Sequence, residues 1–205
     1  MHTKGFSLAA ALLGLLGASS AALAQQNLYA GADIGNFDTE NLLGHCTTQK
    51  VDSCPDSVPY IRVKAGVQAN EMFAVEGHFA WTQRMTATDA DNPANTSASS
   101  QLEYTSYGLA GVARAELLQG TVPGLYGFGR IGLHMWELES GVSGTGQGNR
   151  DKLEALAEDG TDLMYGVGVQ YLMSDRMVLE GGYDEYNGGL WSDMSGFRVG
   201  MSYSF

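Results

Sequence analysis

Beyond residue 24 the chain has no uninterrupted apolar run of the roughly twenty residues that a membrane-crossing helix needs. A helical membrane protein is therefore excluded for that part of the sequence. Basic residues are scarce as well: Lys and Arg number 11 against 23 Asp and Glu, for a net charge of −12. A nucleic-acid partner wants a basic footprint, so that class is set aside. Cysteine falls to two residues, Cys46 and Cys54, which can close at most one short loop. Proline is limited to four, whereas glycine reaches 28. Those glycines interrupt alternating segments such as Leu125-Tyr126-Gly127-Phe128-Gly129-Arg130-Ile131-Gly132-Leu133. That placement argues against a helical bundle, where each would cost about 1 kcal/mol relative to alanine, and fits a crowded, curved sheet.

What is present is a period of two. The last nine residues put Phe197, Val199, Met201, Tyr203 and Phe205 on one strand face and Arg198, Gly200, Ser202 and Ser204 on the other. Seven further segments alternate in the same way: about 28–37, 60–69, 72–83, 103–117, 125–137, 162–172 and 177–186. Each approximates the ~10 residues of a tilted membrane strand. A strand with lipid on one side and a polar interior on the other explains why whole-chain hydrophobicity is ordinary. The predicted fold is all-β: an antiparallel up-and-down transmembrane barrel of eight strands. In lipid a closed barrel is the one alternative to a helix that satisfies every backbone polar group.

The first residues read as a secretory signal. Met1-His2-Thr3-Lys4 is a short basic start, Phe6 to Leu16 is apolar, and Ala22-Leu23-Ala24 is a small-residue cleavage site. Residues 1–24 are expected to be removed, leaving 25–205 as the barrel domain. Lys4 is the one charge lost, so the mature chain carries −12 − 1 = −13. Export to an oxidising compartment makes a Cys46–Cys54 disulfide the expected state. Together with His45 the cysteines offer three ligands and no fourth nearby, which falls short of a metal site. No metal and no cofactor is expected.

Connection lengths alternate. Residues 69–71, 119–124 and 174–176 are short; 39–59, 86–102, 140–161 and 187–194 are long and polar. Outer-membrane barrels have short periplasmic turns and longer external loops. The expected location is therefore the bacterial outer membrane, with both mature termini periplasmic. Residues 151–159 have helical spacing at Leu153, Leu156 and Ala157, which suggests a short helix in the third long loop. Acidic residues gather in the predicted loops (Asp52, Asp56, Asp89, Asp91, Glu137, Glu139, Asp151, Glu154, Glu158, Asp159 and Asp162), a field that favours cationic extracellular partners or divalent ions. Tyr60, Trp81, Tyr104, Trp136, Tyr171, Tyr183, Tyr186 and Trp191 lie near strand ends and are candidates for interfacial girdles.

Leu28-Tyr29-Ala30-Gly31-Ala32-Asp33-Ile34-Gly35, Gln68-Ala69-Asn70, Phe73-Ala74-Val75-Glu76-Gly77, Gly168-Val169-Gln170-Tyr171 and Val199 to Phe205 together resemble the eight-stranded outer-membrane barrels typified by the OmpA transmembrane domain and OmpX. The resemblance spans nearly all of the chain after residue 25. It implies contact with outer-membrane lipid and lipopolysaccharide. It also implies that Tyr203 and Phe205 form the C-terminal signal read by the barrel-assembly machinery. That family keeps an inward-facing charge network. The inward positions here include Asp33, Arg62, Lys64, Glu76, Arg114, Arg130, Glu180 and Arg198. Asp33 and Glu180 are acidic where the OmpA pattern is usually basic, so that family's gating pairs do not transfer.

Three functions compete. A structural or surface-interaction barrel, acting in envelope integrity or adhesion, needs only the wall and the loops. A porin-like channel needs an open lumen, yet eight-stranded barrels are filled by side chains. A lipid-modifying enzyme needs a serine, a histidine and an acid within hydrogen-bond reach. His78 shares an inward face with Glu76, and His134 is a plausible neighbour, but no serine lies obviously beside either. The sequence therefore favours the non-enzymatic reading.

Overall fold

The structure, a computed structural model, describes residues 27–38, 57–89, 98–118, 121–144, 158–187 and 194–205. Nine strand segments follow one another: β1 (Asn27–Asp38), β2 (Ser57–Gln68), β3 (Phe73–Thr82), β4 (Met85–Asp89), β5 (Ala98–Glu116), β6 (Leu125–Gly144), β7 (Glu158–Leu172), β8 (Met177–Tyr186) and β9 (Met194–Ser204). Every pairing is antiparallel, and neighbours in sequence are neighbours in space. The sheet closes on itself because β9 also pairs with β1, with Ile34 opposite Val199. Closure removes both sheet edges and satisfies the wall's backbone groups inside lipid.

The nine segments make eight staves. Both β3 and β4 pair with β5, the first with Trp81 opposite Thr105 and the second with Met85 opposite Leu102. Three residues, Thr82 to Arg84, thus oppose two, Tyr104 and Glu103, and the extra residue is a bulge that bends the stave. Among the described residues no helix is long and apolar enough to cross a membrane; this chain crosses with strands.

Alternation sets the faces. Ile34, Val63, Phe79, Leu109, Ile131, Val167, Leu179 and Val199 stand outward, while Asp33, Arg62, His78, Ala110, Arg130 and Glu180 are buried inside. The short turns are held by small polar side chains. Asn70 Oδ1 accepts from the backbone N–H groups of Met72 and Phe73 at 2.8 and 2.9 Å, and Ser174 Oγ accepts from that of Met177 at 3.2 Å.

Two boundaries depart from the sequence reading. Pairing of β5 with β6 continues to Ala98 opposite Gly144, and β6 with β7 to Leu138 opposite Glu158. Asp89, Glu137, Glu139, Glu158, Asp159 and Asp162 consequently lie in strands, not loops. Once a ladder exists, hydrogen bonding carries it past the end of the apolar stripe. Asp52, Asp56, Asp91, Asp151 and Glu154 fall outside the described residues, as do residues 1–26, the 151–157 part of the suggested helix, Trp191, Cys46 and Cys54.

Candidate functional site

The lumen has three storeys. The lowest, toward the short turns, is ionic. Asp33 receives Arg62 Nε at 2.7 Å and Lys64 Nζ at 3.0 Å on its two oxygens. Asp184 receives Arg198 Nε at 2.6 Å and Arg62 Nη1 at 2.8 Å. Glu180 is bonded by Lys64 and Arg198, with Arg130 Nη2 at 3.4 Å and Gln170 Nε2 at 3.2 Å. Glu76 receives Arg130 Nη1 at 3.2 Å and the Tyr29 hydroxyl at 3.1 Å. The ring of Phe128 lies under the guanidinium carbons of Arg130 and Arg198, at 5.1 and 5.3 Å. Four carboxylates meet four cations, and the eight side chains are almost wholly shielded from solvent. Burying one charge alone would be prohibitive; matched and multiply bonded, the set is tolerated.

Register explains the convergence. Asp33 lies opposite Arg62 on β2 and opposite Gly200 on β9. A side chain at Gly200 would collide with the Asp33 carboxylate, and one at Gly166 with that of Asp184. These two glycines make the room that the acids occupy. Of the inward residues named from sequence, seven come together here. Arg114 does not. It shares the inward parity but sits near the short-turn rim, where its Nε donates to the Glu71 carbonyl at 2.9 Å and its guanidinium lies over Tyr126. The eighth member is Asp184, which sequence reasoning passed over although it stands four residues beyond Glu180 with the same parity.

Above the ions, toward the long connections, lies an aromatic plug. Phe37 stacks on Tyr60 with centroids 3.8 Å apart and meets Tyr186 edge-on at 5.3 Å. Tyr104 stacks on Trp136 at 6.4 Å, and Leu102, Leu138, Met164 and Met194 fill the gaps. Trp136 Nε1 donates to Asp162 at 2.9 Å. This corrects the girdle assignment for Tyr60, Tyr104, Trp136 and Tyr186: all four are buried in the lumen. Residue type near a strand end suits lipid interface and lumen equally; parity decides, and these four share it with Arg62, Ser106, His134 and Asp184. Tyr171 and Tyr183 do face outward.

Between plug and ions sit His78, His134 and Ser106. Ser106 Oγ is 3.1 Å from His134 Nδ1, and His134 Nε2 is 3.1 Å from the Asn187 carbonyl. A carbonyl only accepts, so Nε2 carries the proton and Nδ1 accepts from the serine hydroxyl. A serine therefore does stand beside a histidine, contrary to the sequence reading. Their separation of 28 residues along the chain hid it. Both side chains are buried inside the wall, 1 % exposed or less, and the pair closes an internal hydrogen-bond network.

At the short-turn end Tyr203 and Phe205 lie on the outer wall with rings 5.5 Å apart. Arg176 Nη1 donates to the Tyr203 hydroxyl at 3.1 Å, and the Phe205 N–H to the Leu28 carbonyl at 2.9 Å.

An apolar outer band around a closed ring, with a charged network packed inside it, defines an integral outer-membrane β-barrel. The chain belongs to the outer membrane protein beta-barrel domain family, whose family model matches residues 8–205. The resemblance to small outer-membrane barrels read from sequence thus holds. Among solved structures it is similar to OprG of Pseudomonas aeruginosa, at 10 % identity over 88 % of this chain and 96 % of that one, with a TM-score of 0.57. It is also similar to Neisserial surface protein A (NspA), at 13 % identity over 87 % and 97 %, TM-score 0.50. Ail, the attachment invasion locus protein of Yersinia pestis, gives 15 % over 88 % and 97 %, TM-score 0.48. At such identities the likeness is one of fold. No curated protein matches the chain in sequence.

Proposed function

We propose that this is a non-conducting, non-enzymatic barrel that serves the envelope through its wall and its long connections, in structural integrity or surface adhesion. The observation that carries the reading is the doubly filled lumen of the described residues: a charge-neutral ionic layer under an aromatic plug. A channel needs bulky, paired side chains to move aside together, and each carboxylate here is held by at least two partners. The enzyme reading loses support because Ser106 and His134 face neither lipid nor water.

The same proposal covers topology and maturation. The long connections face the exterior and the short turns the periplasm, residues 1–24 act as the secretory signal, Cys46 and Cys54 form a loop disulfide, and Tyr203 with Phe205 supplies the assembly signal. Acidic positions remaining outside the wall then meet a cationic partner. Planar-bilayer recording tests the closed lumen: no stable unitary conductance is expected, and reproducible open levels would refute it. Protease shaving of intact cells tests topology: cuts confined to 39–56, 90–97, 145–157 and 188–193 are expected, and cuts at the short turns would invert it.

A further inference from the structure

We propose that His78 is an acid-sensitive latch between the aromatic plug and the ionic storey: a proton on its imidazole opens the plug and leaves the ions beneath it in place.

His78 is buried, and neither of its ring nitrogens has a hydrogen-bond partner among the described residues. Register fixes its surroundings. It lies opposite Lys64 on β2 and opposite Gly108 on β5, and Gly108 lies opposite His134 on β6. A Cβ at Gly108 would come within 2.9 Å of His78 Cε1, so the ring is packed against bare backbone. Across the lumen it meets the Tyr186 ring edge-on at 6.2 Å. The charged and titratable groups facing it are Lys64 and Arg62 from β2, Glu76 from its own strand, Arg130 and His134 from β6, and Asp184 and Tyr186 from β8. From β5 it faces Gly108, which brings no charge.

Both of those carboxylates are already engaged. Glu76 is held by Arg130 and the Tyr29 hydroxyl, and Asp184 by Arg198 and Arg62. The ionic storey is neutral at four against four. A proton on His78 adds a fifth cation among buried side chains, with water shut out, and that is costly. Something must then move, and the plug is the weaker side. Each carboxylate below has at least two partners, whereas the plug is held largely by ring contacts, and the Tyr60 hydroxyl within it is buried without a partner. Opening the plug gives water to that hydroxyl and to His78 together. The gain at His78 grows as pH falls.

His134 is placed differently. Its nitrogens are occupied by the Ser106 hydroxyl and the Asn187 carbonyl, and Asp162 stands opposite it on β7. A carboxylate is thus one stave away from any charge it takes up. His78 has no such neighbour to spare.

A histidine that ionises only in the open form raises the opening constant tenfold per pH unit below about 6.5, hence about thirtyfold between about pH 7.5 and about pH 5. The test follows alkylation of a buried thiol in the mature chain folded into lipid vesicles. Ala80→Cys is the reporter, because Ala80 is fully buried in the plug cluster on the same face of β3 as His78; Cys46→Ser and Cys54→Ser remove the native thiols. Dividing each rate by that of the urea-unfolded chain at the same pH cancels the reactivity of the thiol itself. The quotient should rise about thirtyfold over that pH step. With His78→Gln added it should rise less than threefold, and with His134→Gln added still at least tenfold. Ser202→Cys, an inward position beside Lys64 in the ionic storey, should change less than threefold. Should Ala80→Cys or His78→Gln fail to fold by heat-modifiable mobility, Leu102→Cys and His78→Asn replace them. A flat quotient, or a rise that survives His78→Gln, overturns the latch. A rise lost equally with His134→Gln overturns His78 as the group that takes the proton. An equal rise at Ser202→Cys means that the whole barrel loosens, and overturns the plug as the moving part.

Discussion

Neutralising Glu180 is the sharpest test of the ionic storey. Its carboxylate serves Lys64, Arg198 and Arg130 at once and is sealed from solvent. Glu180→Gln keeps the shape and leaves four cations facing three carboxylates. Removing one partner of a buried pair costs about 3–5 kcal/mol, because the other charge stays behind uncompensated. With a urea slope of about 2 kcal/mol per molar, the unfolding midpoint should fall by roughly 2 M. The assay is urea-dependent folding into lipid vesicles, read by heat-modifiable gel mobility. Adding Lys64→Gln to Glu180→Gln restores three against three and should recover about half of the loss, roughly 2 kcal/mol relative to Glu180→Gln alone. A Glu180→Gln midpoint equal to wild type would refute the reasoning. So would a double variant whose loss equals the sum of the two singles, since that would mean the charges do not sense one another.

Phe37→Ala should destabilise by about 3–5 kcal/mol in the same assay, because the ring is fully buried on Tyr60; bilayer recordings should stay silent, since the ionic storey still blocks the lumen. Gly200→Ala forces a methyl group into the Asp33 carboxylate and should cost about 1–3 kcal/mol, whereas Gly111→Ala, which meets only one distant carbonyl, should cost under about 1 kcal/mol by the same overpacking argument. Ser106→Ala leaves His134 Nδ1 without its donor and should cost about 1–3 kcal/mol, with the lipid A mass spectrum of cells unchanged; a lost or gained acyl chain would revive the enzyme reading. Val167→Lys on the outward face should cost about 2–4 kcal/mol in vesicles if that position lies near the midplane, and a smaller loss would place β7 higher in the membrane.

Alternation along each segment determined, without any structure, that strands would form, which face of each would meet lipid, and that the ring would have eight staves. Those are local properties: side chains on a strand switch sides at every residue, and the solvent on each side selects its own chemistry. The charges of Asp33, Arg62, Glu180 and Arg198 were assigned to the interior on that basis. Parity also held the signal for Asp184 and for the inward Tyr60, Tyr104, Trp136 and Tyr186, but residue type near a strand end drew the aromatics to the interface. Height and company were beyond reach. Arg62 meets Asp184 across 122 residues of chain, and Ser106 meets His134 across 28. Which inward side chains share a storey depends on ring closure and stagger, both set by pairings between distant strands.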